Sequence, residues 1–191
     1  SYGGYLAFEW GALHPNFMHK IVAIATNPIA GHDARKVKSL RQFFSSDSNW
    51  RGGEYYEYGG MVHRLTNYRA LMIQSYATES WMDLHYPNLC TRREQLNEDA
   101  RAWANHFDVH SLITLRRAAE FRTTQDRLHQ IKAKMLYILC ATDPIFPAAD
   151  AKEITTALTT AGVTVNFQEI DSELGHFAPI EDVHSLAPKI K

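Results

Sequence analysis

Ser1-Tyr2-Gly3-Gly4, running directly into the helix-like stretch that ends at Trp10, constrains this chain more than any other feature. Ser-x-Gly-Gly opening a helix is the second half of a sharp strand-to-helix turn, a strained geometry that lifts a serine Oγ above a parallel sheet. Glycine suits both positions because a side chain at either is expected to collide with the neighbouring strand or helix. Ser1 is therefore the candidate nucleophile, and the backbone N–H of Tyr2 the candidate first donor to an oxyanion. The motif is short and recurs by chance, so its weight comes from what lies downstream.

Two later segments complete an ordered set, Ser…Asp…His. Lys134–Cys140 is an apolar run of strand length, and Ala141-Thr142-Asp143-Pro144-Ile145-Phe146-Pro147 follows it. A carboxylate just past the carboxyl end of a buried strand sits where an open parallel sheet forms its ligand crevice. Val163–Ile170 alternates in strand fashion and leads through Asp171-Ser172-Glu173-Leu174 to Gly175-His176. His176 on that loop is the candidate general base, with Asp143 holding its Nδ1–H and fixing the tautomer.

Each piece has an ordinary reading. The chain holds ten histidines, most of which must be surface or core residues. Asp143 before Pro144 could start a turn and cap the following helix, and Asp150 and Asp171 are nearby carboxylates. Three pieces in the right order, each at a strand end, outweigh those readings.

The sequence resembles the homoserine O-acetyltransferase family of α/β-hydrolase-fold acyltransferases. The residues that carry the likeness are Ser1–Trp10, Lys20–Thr26, Asn49-Trp50-Arg51-Gly52-Gly53-Glu54-Tyr55-Tyr56 and His106–Leu112, with Thr142–Pro147 and Gly175-His176. The resemblance implies Ser1 as nucleophile, Asp143 as orienting acid and His176 as base. It also places Arg64 where the family binds a substrate carboxylate, a task a guanidinium suits. One departure stands out. Where the family has an aspartate that holds the substrate's ammonium group, this chain has Phe177, and an apolar ring cannot pair with a cation. Homoserine is thus not the expected acceptor.

The expected fold class is α/β: the carboxyl-terminal part of an α/β-hydrolase fold, a mostly parallel sheet flanked by helices, with an inserted helical cap. Residues 1–29 and 129–191 are expected to form the hydrolase body, and residues 30–128 the cap. Only three core strands are legible, over 20–26, 133–140 and 163–170, and three strands would leave a long unpaired edge. The turn at Ser1 also requires a strand before it. The early strands are therefore expected from a separate amino-terminal piece of the same precursor, with self-cleavage before Ser1 by an N-to-O acyl shift. A homodimer of that assembly is the further expected association.

Within the cap, 33–46, 61–82 and 92–122 are expected to be helical, the last with apolar positions Leu112, Leu115, Ala118, Ala119 and Phe121. Pro87 and Asn88 mark the break between the latter two. Ser45–Gly60 is expected to be loop. Its aromatic group, Trp50, Tyr55, Tyr56 and Tyr58, either lines a tunnel or packs cap against body.

Composition excludes other classes. With 20 basic and 21 acidic residues and a formal net charge of −1, no broad basic face for nucleic acid is expected. The arginines at 92, 93, 101, 116, 117 and 122 alternate with acids, as on solvated helix faces, and leave a phosphate-bearing acyl donor open. Cys90 and Cys140 form no disulfide framework, no apolar run nears the ~20 residues of a spanning helix, and His106, His110 and His129 lack metal-ligand spacing. The expected location is cytoplasmic, with no metal and no bound cofactor.

The chemistry expected is two-step acyl transfer through an acyl-Ser1 intermediate. An alcohol acceptor makes the protein an acyltransferase, with acetyl-CoA or another acyl-CoA as co-substrate; water makes it an esterase or amidase. An N-terminal-nucleophile hydrolase, with the Ser1 amine as base, and a non-catalytic binding module are the readings from other classes.

Overall fold

The computed structural model describes residues 1–29 and 33–190. Among them, Lys20–Ile24 (β1), Lys134–Cys140 (β2) and Val165–Ile170 (β3) form one parallel sheet in the order β1-β2-β3. The register runs from Lys20↔Lys134 to Ile24↔Ile138 between β1 and β2, and from Met135↔Val165 to Cys140↔Ile170 between β2 and β3.

β2 is the centre of the sheet, and every side chain from Tyr137 to Cys140 is fully buried. Alternation along it feeds two cores, because successive side chains leave opposite faces. Met135, Tyr137 and Leu139 pack with Phe8 and Ala12 of α1 (Tyr2–Leu13) and with Ile154 and Leu158 of α7 (Ala151–Thr160). Ile138 and Cys140 pack with Ile170, with Ala178 of α8 (Ala178–Glu181) and with Leu186 of α9 (Val183–Leu186). A sheet covered on both faces explains why β2 reads as an unbroken apolar run.

The chain divides into two compact units: Ser1–Ala30 with Tyr76–Met82 and Thr123–Lys191, and Gly31–Ser75 with Asp83–Arg122. The second unit holds α2 (Ala34–Ser45), most of α3 (Val62–Tyr76), α5 (Arg92–Ala104) and α6 (Val109–Glu120). Its core joins Leu40, Phe44, Trp50, Tyr55, Leu65, Ala104 and Val109. Trp50 and Tyr55 are therefore packing residues within this unit, while Tyr56 and Tyr58 are exposed.

Several local expectations are corrected. The helix expected over 61–82 is two helices, α3 and α4 (Glu79–His85), because Thr78 Oγ1 accepts the Trp81 N–H and starts the second. The helix expected over 92–122 is likewise split, at Asn105–Asp108. Asp108 Oδ1 accepts the Ser111 N–H at 2.9 Å and caps α6, as N-cap carboxylates do. Of the apolar positions expected here, Ala119 is buried and Leu112 half-buried, whereas Leu115, Ala118 and Phe121, the last just past α6, are exposed; Val109 and Glu120 are buried as well. The segment expected as loop contains short 3-10 turns at Ser48–Gly53 and Tyr55–Tyr58. Within the first, the backbone turns to positive φ at Arg51, Gly52 and Gly53. A Cβ on Gly53 would also meet His110 Cε1 at 3.1 Å.

Candidate active site

The turn that carries Ser1 is shaped by one close approach. A Cβ on Gly4 would lie 2.4 Å from Cγ2 of Thr26, a fully buried residue beyond the carboxyl end of β1. Ala25, at φ +47, bends the chain there into the left-handed region that side chains disfavour. The steric expectation holds for Gly4 and is corrected for Gly3, whose added Cβ would meet no described atom within 4 Å.

Ser1 occupies the N-cap of α1 and accepts the first helical bond, from the Gly4 N–H at 2.9 Å, through its carbonyl. Its hydroxyl makes no cap hydrogen bond, unlike the usual N-cap serine. Ser1 is exposed as a residue. Tyr2 begins the helix, with its ring edge-on to Tyr5.

Asp143 follows β2 and is 2 % exposed. A buried carboxylate needs partners for its lone pairs, and Asp143 has three. Oδ1 accepts the N–H groups of Ile145 (2.7 Å) and Phe146 (3.1 Å), while Oδ2 lies 2.8 Å from His176 Nδ1. An ionised carboxylate can only accept, so Nδ1 carries the proton and Nε2 is left as the basic nitrogen. The imidazole is flanked by Tyr76 (5.1 Å between ring centres) and Phe146 (5.7 Å).

The two loops are tied by Thr142, a residue to which sequence reasoning gave no role. Its hydroxyl donates to the Ser172 carbonyl at 2.7 Å and accepts the Gly175 N–H at 3.1 Å. Gly175 sits at φ +60, where a Cβ would lie 2.9 Å from the Tyr76 carbonyl oxygen. Residues 76–82 thus brace the histidine loop, and Thr78 Oγ1 donates to the Glu173 carbonyl. No periodicity announces such a brace; the turn-forming Thr78 before Glu79 was its one local sign.

Phe177 stacks on Trp81, with ring centres 4.3 Å apart and planes 18° off parallel, and stands edge-on to Tyr76. Trp81 is fixed by its Nε1–H, which donates to Glu181 at 2.9 Å. Arg64 belongs to the second unit. There its Nε donates to the Phe43 carbonyl, one terminal nitrogen donates to Ser46 Oγ, and the guanidinium lies over the Phe43 ring. Glu9, in the block that carried the resemblance, accepts from the Thr124 hydroxyl and from Arg127.

The blocks Asn49–Tyr56 and His106–Leu112 meet inside the second unit. Asp108 Oδ2 accepts from the hydroxyls of Tyr55 (2.7 Å) and Tyr56 (2.9 Å), and His110 Nε2 lies 2.9 Å from the Gly53 carbonyl. Burial works to raise the Asp108 pKa, but the bonds from Tyr55, the Ser111 N–H and Tyr56 bring it below its ordinary value. Among the described residues no group of three His, Cys, Asp or Glu side chains is arranged to hold a metal, and no helix is long and apolar enough to cross a membrane.

The fold is that of the α/β hydrolases. A mutant of esterase E22 superposes with a TM-score of 0.83 at 21% identity, over 98% of this chain and 57% of that one. Homoserine O-acetyltransferase from Bacillus anthracis superposes with a TM-score of 0.81 at 20% identity, over 98% of this chain and 56% of that one. Among curated proteins, the chain is similar to homoserine O-acetyltransferases. That of Methanosalsum zhilinae is 26% identical over 93% of this chain and 40% of its own length. The chain spans about half the length of the relatives it matches. No family model matches it.

Proposed function

We propose that the chain carries the catalytic half of a serine-dependent acyl-transfer enzyme that works through an acyl-Ser1 intermediate. The observation that supports this most is the 2.8 Å pairing of His176 with a buried Asp143 whose other oxygen is held by two backbone N–H groups. Such a pair supplies an oriented base. His176 takes the Ser1 hydroxyl proton through Nε2 as Oγ attacks an ester or thioester carbonyl. The Tyr2 N–H donates to the resulting oxyanion. Collapse expels the alcohol or thiol, which receives the proton from His176, and an acceptor activated by the same nitrogen then releases the acyl group. Acetyl-CoA or another acyl-CoA is the proposed donor, in keeping with the relatives' name. Arg64 is the proposed carboxylate contact, if it exchanges its bonds to Phe43 and Ser46 for a substrate.

The second reading, hydrolysis, is favoured by one observation. Phe177 lies flat on Trp81 beside Tyr76, an apolar wall next to the histidine. It offers nothing to an ammonium group and suits an ester with an apolar substituent released to water. The same parallel sheet speaks against an N-terminal-nucleophile enzyme, which needs paired sheets, and leaves the base role to His176.

Incubating the full-length protein with acetyl-CoA and with p-nitrophenyl acetate, then weighing the intact chain, tests the proposal. An added acetyl group on Ser1, absent in Ser1→Ala, is expected. Unlabelled protein with both donors, together with no reaction of Ser1 toward a fluorophosphonate, rejects it. Release of CoA only when an alcohol is present marks a transferase, and turnover of the ester in water alone marks a hydrolase.

A further inference from the structure

We propose that a groove within the second unit, between α2 and α6, binds a phosphorylated small molecule of nucleotide size. α2 presents Lys38, Arg41, Gln42 and Ser45 along one face, at the i, i+3, i+4, i+7 spacing that lines up side chains on a helix. Arg117 in the last turn of α6, Phe121 just past its end, and Trp50 also line it. The groove encloses about 510 Å³, within the range of roughly 300–1,000 Å³ typical of small-molecule sites.

Its charge is the reason for assigning an anion. α2 contains no acidic residue, and its N-cap Asp33 is paired with Arg35. The one acid of α6, Glu120, is buried and already faces Lys36 at 3.8 Å and Arg116 at 3.4 Å. Lys38, Arg41 and Arg117 have no carboxylate partner among the described residues. Three uncompensated cations therefore converge on one concavity, in a chain whose formal net charge is −1. Cations so placed repel one another and focus a positive potential in the groove.

The donor types narrow the ligand. Two guanidiniums, one on each helix, match the paired oxygens of phosphate groups, and Gln42 adds a neutral donor, whereas the Ser45 hydroxyl is engaged with the Gln42 carbonyl. Phe121, 46% exposed beside these cations, gives a planar apolar group something to stack on. A bare inorganic ion would leave that surface uncovered, so the ligand combines phosphate with an aromatic or apolar body. The residues that line it all belong to the second unit, whereas Ser1, Asp143 and His176 belong to the first.

Isothermal titration of the full-length protein with adenosine 3′,5′-bisphosphate tests the assignment, with adenosine and inorganic phosphate as comparison probes. The bisphosphate is expected to bind more tightly than either comparison probe. The double substitution R41Q/R117Q is expected to weaken it by about tenfold or more, with an unchanged melting curve, and K38Q by less. If the double variant fails to fold, the single R117Q and the charge-preserving R41K replace it; both should weaken binding, R41K by less because it keeps the charge and loses only the paired geometry. Equal affinity in R41Q/R117Q, no binding of the bisphosphate, or equally tight binding of inorganic phosphate overturns the proposal. So does a glutamate oligopeptide that binds the groove and is not displaced by the bisphosphate, because it assigns the cations to an acidic protein segment.

Discussion

Oδ2 of Asp143 lies 2.8 Å from Nδ1 of His176, thirty-three residues further along the chain, while Oδ1 of the same carboxylate is held by two backbone N–H groups. Both oxygens of the buried acid are thereby engaged, and the imidazole is held on Oδ2. Asp143→Asn keeps the shape but turns an amide toward Nδ1, which favours the wrong tautomer. Turnover of an activated ester is expected to fall by about 10⁴-fold, with the melting temperature little changed. Retention of more than a tenth of the activity would remove Asp143 from the role proposed for it.

Thr142 is expected to act through geometry rather than contact with substrate. Thr142→Val removes both the donor to Ser172 and the acceptor for Gly175, leaving the Gly175 N–H without its partner and the Ser172 carbonyl with only the Cys140 thiol. About 1–3 kcal/mol of stability should be lost, and kcat should drop more than KM rises. Thr142→Ser restores the hydroxyl and should recover most of kcat, an outcome that a loss of methyl packing alone would not give.

The glycines after Ser1 are expected to behave unequally. Gly4→Ala drives a Cβ into Thr26 and should cost about 1–3 kcal/mol, the usual range for overpacking. Gly3→Ala meets no described atom within 4 Å and sits in a helix, so it should be near neutral. Chemical denaturation of both variants measures the contrast, and equal losses would contradict the close approach at Gly4.

Asp108 gives a pH signature. Its pKa is lowered from 3.8 in the folded state, so its contribution is present above that value and disappears as pH falls through the lower folded one. Asp108→Asn should therefore melt about 2–4 °C lower at pH 7, the equivalent of roughly 1 kcal/mol in a domain of this size. The gap should close on acidification below pH 3.8. A gap that persists unchanged into acid would mean that packing, not charge, separates the two proteins.

Parts of this fold were legible in the residues for identifiable reasons. A central parallel strand buried on both faces has few polar positions, so the run from Met135 to Cys140 announced itself. The acid and histidine were legible by place, each just after a strand end. The helical breaks at Thr78 and Asp108 were legible in principle, since both residues are ordinary N-caps, but continuous periodicity on either side masked them. The exposed side of α6 was not legible. Leu115 and Phe121 share the apolar spacing of the helix, and which stripe faces inward depends on what the neighbouring elements supply.

Local chemistry along the chain was enough to settle the sheet type, the identity of the paired acid and base, and the glycine at position 4. It could not say that Thr142 would bridge Ser172 and Gly175, that Phe177 would lie on Trp81, or that three arginine and lysine side chains would share one groove without an acid. Those relationships join residues far apart in the chain. A residue's own preference spans a few neighbours, whereas which distant side chains meet is set by the packing of whole elements against one another.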